Sequence, residues 1–91
     1  MEGRLLADDL YRFVVRLFET LQNRGASSLA NKVHAAGNFA VGSTTEFFTE
    51  AELALKSVLA EHEGVLQAEE IQEVNRVLRG IDFEFKLIGG A

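Results

Sequence analysis

An all-α fold, a small antiparallel bundle of four helices within one domain spanning residues 1–91, is predicted by three observations. Apolar side chains recur every third or fourth residue along nearly the whole chain, the winding period of an α-helix. There is no proline to break that pattern. Three short connections, each containing a glycine, interrupt it near 25–27, 41–45 and 64–66, so neighbouring helices should run antiparallel.

The first helix is expected over 3–24. Leu6, Leu10, Val14, Leu17 and Leu21 mark one face, and Phe13 and Phe18 widen it. Arg24-Gly25 supplies a stop, a cation at the carbonyl end followed by a residue that tolerates positive φ. A second helix is expected over 27–40, with Ser27 or Ser28 as its cap. Its face, Leu29, Val33, Ala36 and Ala40, is small-sided and invites close approach, while Gly37 either ends the helix early or permits that contact.

The third helix should span 44–63. Ser43 and Glu46 have the spacing of a capping box, with Thr45 as the alternative cap. Phe47, Ala51, Ala54 and Val58 form its stripe, broadened by Phe48, Leu55 and Leu59, and Gly64 stops it. The fourth, 67–88, presents Ile71, Val74, Leu78, Ile81, Phe85 and Ile88. Residues 81–88 also alternate apolar and charged side chains as a strand does. Helix is preferred, because no other segment offers a strand to pair with and an unpaired apolar strand is a liability. The core should comprise Leu10, Val14, Leu17, Leu21, Leu29, Val33, Phe47, Ala51, Leu55, Val58, Ile71, Val74, Leu78 and Ile81.

Composition narrows the function. Apolar residues make up 47% of the chain, enough for a core. There is no Cys, so disulfides, thiolate metal sites and Cys nucleophiles are excluded, and the lean is towards a cytoplasmic location. The opening MEGRLLADDLYRF has no apolar run before its acids and does not read as a signal peptide. No stretch approaches the roughly 20 apolar residues of a membrane span.

No motif carries catalysis or a cofactor. Gly37 to Thr44 matches the spacing of a phosphate loop, but Ser43 stands where the loop needs Lys and no strand precedes it. Glu61-His62-Glu63 places three ligand types in a row, yet helical neighbours point about 100° apart and do not converge. No Glu-x-x-His pair is present. Two histidines and four serines define no base–orienter arrangement, so the chain is expected not to be an enzyme.

Charge is the remaining signal. Residues 1–45 carry five basic groups against four acids, whereas 46–91 carry four against ten. A sequence isoelectric point of about 4.9 argues against a nucleic-acid footprint. An acidic surface on the third and fourth helices suits a basic protein partner, as in inhibitor, immunity or antitoxin proteins. Glu50, Glu61 and Glu63 would form the rim, with Phe48 or Tyr11 as an exposed aromatic anchor. The alternative is a homodimer through Phe83 and Leu87, which fall off the main stripe of the fourth helix.

Overall fold

A computed structural model describes residues 5–61 and 63–89, with the side chains of 88 and 89 excepted; the Ile88 side chain, His62 and residue 3, the expected start of the first helix, lie outside what is described. It contains four α-helices, α1 (Ala7–Asn23), α2 (Ser27–Gly37), α3 (Thr44–Glu61) and α4 (Ala68–Gly89), with a 3-10 turn, Asn38–Val41, between α2 and α3. There is no strand among the described residues. The helices wrap a continuous apolar core whose fully covered members include Leu10, Leu21, Val33, Phe47, Leu55 and Ile81.

The first helix begins later than its apolar stripe suggests. Leu6 is extended, with φ −86° and ψ 156°, and accepts the first helical hydrogen bond from Leu10 N–H. Asp8 and Asp9 occupy the first turn, where the helix dipole favours them. Leu6 thereby leaves the buried face and is 58% exposed. Leu5 packs instead, with its side chain against Gly80 of α4.

Gly25 closes α1 with φ +82°. Ala26 N–H donates to Leu21 O and Gly25 N–H to Gln22 O, the paired bonds of a Schellman motif. Arg24 does not serve the α1 carbonyls as expected; its guanidinium reaches across to the α3–α4 connection. Ser27 and Ser28 do not cap α2 either. Ala26 takes the cap position without a side-chain bond, because the tight Gly25 turn leads straight into the helix. Gly37 is the last residue of α2 and also a contact point: a Cβ there would lie 3.3 Å from Val14 Cγ1.

Ser43 Oγ accepts from Glu46 N–H at 3.3 Å, so the hydroxyl half of the expected capping box forms and Ser43 is the cap of α3. The α4 entry is a cap of a different kind. Gln67 N–H donates to Glu70 Oε1 at 2.8 Å while Gln67 O accepts from Ile71 N–H. Gly64, with φ +79°, makes the turn before it.

Helix continues through 81–88 and the strand alternative is excluded. Ile81 is buried and the Phe85 ring meets Phe48 edge-on at 6.5 Å, while Phe83 and Leu87 face outward. That division follows a helical period and not an alternating one. Two expected core residues, Ile71 and Leu78, are only half-buried, because α4 lies at the margin of the cluster. A buried charged position that the apolar pattern did not announce is Glu84, 4% exposed, whose Oε2 accepts from Leu5 N–H at 3.1 Å.

Candidate interaction surface

The middle helix, α2, has a groove on each side. The groove towards α3 holds about 240 Å³ and is lined by Lys32, Ala35 and Ala36 from α2 and by Glu50, Leu53, Ala54 and Ser57 from α3. Alanines keep its floor low, so Leu53 stands proud at 55% exposure. Glu46, Glu50, Leu53 and Ser57 follow one another at helical spacing, which places them along one outward strip of α3.

The five residues expected to bind a partner do not converge. Glu50 lines this groove. Glu61 lies at the far end of α3, where its carboxylate is 3.5 Å from Lys32 Nζ. Glu63 is exposed in the turn that follows. Tyr11 is 46% exposed but belongs to the opposite groove, between α1 and α2. Phe48 is corrected outright. It is 2% exposed and wedged between Phe47 and Phe85, so it is core and not an anchor. A stripe as wide as Phe47-Phe48-Ala51-Leu55 leaves no adjacent ring for solvent when helices cover both flanks. Leu53 was missed, although it sits between Glu50 and Ser57 and off that stripe, which was the available signal.

Several acids are already matched within the fold. Arg24 holds Glu70 through Nη1 and Nη2, at 2.6 and 2.8 Å, and Nη1 also donates to Val65 O at 2.9 Å. This raises the Arg24 pKa, chiefly through the Glu70 hydrogen bond. It lowers that of Glu70, first through Arg24 and then through the Gln67 amide. Glu73 lies 3.8 Å from Arg16 and 3.6 Å from Arg76, and Glu52 lies 3.6 Å from Lys56. On α3, the turn after it and the start of α4, Glu46, Glu50, Glu63 and Glu69 form no ion pair among the described residues, and they carry the outward acidic character there.

Residues 37–44 adopt the geometry of a 3-10 turn and a helix cap, with helix and not strand before them. Among the described residues, no three His, Cys, Asp or Glu side chains are grouped to hold a metal, and no helix is long and apolar enough to cross a membrane. Comparison of the chain with protein-family models, with curated proteins and with solved structures finds no match.

Proposed function

We propose that this chain is a non-catalytic protein–protein interaction module that docks a basic partner on the α2–α3 face. The observation that carries the reading is Leu53, an apolar side chain 55% exposed on the same strip as Glu46 and Glu50. Unpaired carboxylates steer a cationic partner and speed encounter, while an apolar residue at the centre supplies contact energy on docking. An inhibitor, immunity or antitoxin-type protein is the concrete form this takes. A chain without cysteine gains nothing from an oxidising compartment, which supports a cytoplasmic location.

The test is capture of the partner from the source cell, followed by titration of the purified pair across a range of salt. Affinity should fall with ionic strength, drop with Glu46→Lys plus Glu50→Lys, and be lost with Leu53→Asp. Binding indifferent to all three overturns the reading.

A second reading is self-assembly through α4. Phe83 and Leu87 are 48% and 50% exposed one turn apart, a pair suited to a twofold contact. Sedimentation equilibrium separates the two: a monomer at every concentration removes the dimer, and a dimer abolished by Phe83→Ser establishes it.

A further inference from the structure

We propose that the second groove, between α1 and α2, receives an amphipathic helix of a partner protein that carries basic residues at both ends of its apolar stripe. The groove consists of two confluent depressions of about 230 and 460 Å³ that share Tyr11, Gly37 and Asn38. Tyr11 stands half-exposed at its centre. Val41, 95% exposed in the 3-10 turn, marks one end. Phe18, its ring 5.1 Å from that of His34, marks the other. The trough exists because Gly37 has no side chain to fill it, at a point where a Cβ would press on Val14 and approach the Tyr11 ring.

Charge selects the occupant. Asp8 lines the end near Val41 and Glu19 the end near Phe18, and among the described residues no Lys or Arg lines either depression. Arg12, one turn on from Asp8, lines neither. Neither acid forms an ion pair among the described residues. Eleven residues of helix separate them, about 16 Å, or three turns of a docked helix. An apolar trough of that length with a negative charge at each end is complementary to a helix with Leu-type residues at i, i+4 and i+7 and a cation beyond each end. Neither Glu50 nor Leu53 lines this groove, so the proposal does not rest on the α3 reading.

The test uses a labelled synthetic helix of about 14 residues with a leucine stripe and lysines at both ends. Two controls accompany it, a scrambled peptide of the same composition and a version with glutamate for lysine. Saturable anisotropy is expected at roughly 10–100 μM. Amide shifts should concentrate at Tyr11, Phe18, His34 and Val41. Tyr11→Ala should weaken binding about tenfold. Asp8→Lys with Glu19→Lys should do the same and flatten the salt dependence, while circular dichroism shows both variants still helical. Leu53→Asp, which disables the α3 face, should change nothing here. No saturation by about 1 mM, equal binding of either control peptide, or amide shifts that map to α3 overturns the proposal. So does a groove that closes by self-association, seen as concentration-dependent loss of the same signals without peptide.

Discussion

Arg24 at the end of α1 grips Glu70 at the start of α4 with both terminal guanidinium nitrogens, Nη1 and Nη2, across 46 positions of sequence. The same carboxylate accepts the Gln67 amide, so one side chain caps its own helix and ties it to another. The two side chains remain 36% and 31% exposed, and solvent screening keeps the electrostatic part of the tie modest.

The sign of the resulting pH dependence follows from Glu70. Its folded-state pKa is depressed below the unfolded value of about 4.3. The carboxylate therefore stabilises the fold above that unfolded value, and the contribution is lost as pH falls through the folded one. Wild type should exceed Glu70→Gln in urea midpoint at pH 7, and the two should converge on acidification below about pH 4. A gap as wide at pH 3 as at pH 7 contradicts the assignment.

Leu17 and Leu78 should respond unequally to truncation. Leu17 is buried, so Leu17→Ala should cost about 2–5 kcal/mol. Leu78 is only half-buried, and Leu78→Ala should cost less, about 1–2 kcal/mol, since part of the side chain already faces water. Chemical denaturation of the two variants side by side measures the difference, and equal losses would place Leu78 in the core after all.

Gly25 tests backbone conformation alone. Its φ is +82° and no atom lies within 4 Å of where a Cβ would sit. Gly25→Ala should cost about 1–2 kcal/mol from the left-handed conformation, and Gly25→Asn distinctly less. A neutral alanine would mean the turn relaxes to another shape.

Gly80 tests the seat of Leu5. Alanine in a helix interior is worth up to about 1 kcal/mol over glycine. Here the new methyl would meet Leu5 Cδ2 at 3.3 Å. Gly80→Ala should therefore gain more in a Leu5→Ala background than in wild type, with a coupling of about 0.5 kcal/mol or more in a double-mutant cycle. Strict additivity would show that Leu5 does not rest there.

Legibility in the sequence varied with the range of the interaction. The Ser43 cap and the left-handed turn at Gly25 were readable, since a hydroxyl three residues before an amide and a glycine after a helix act locally. The cap at Ala26 and the extended Leu6 were not, because the Gly25 turn and the seat of Leu5 on α4 decided them. Of the acidic surface, Glu50 kept its outward place while Glu70 was taken by Arg24, a partner that no spacing rule connects to it. Glu84 sits at an inward position of α4, and a lone acid there was a signal that the apolar count passed over.

The winding of the chain and the order of its helices were determined by the sequence alone, because the recurrence of apolar residues and the demands of each turn are satisfied within a few positions. Which surface each helix offers was decided only by tertiary structure. Phe48 and Tyr11 look equally available in the chain, yet α4 brings Phe85 onto the first and a missing side chain at Gly37 leaves the second open. Exposure is a property of what packs opposite a residue, and what packs opposite is set by contacts between segments distant in sequence.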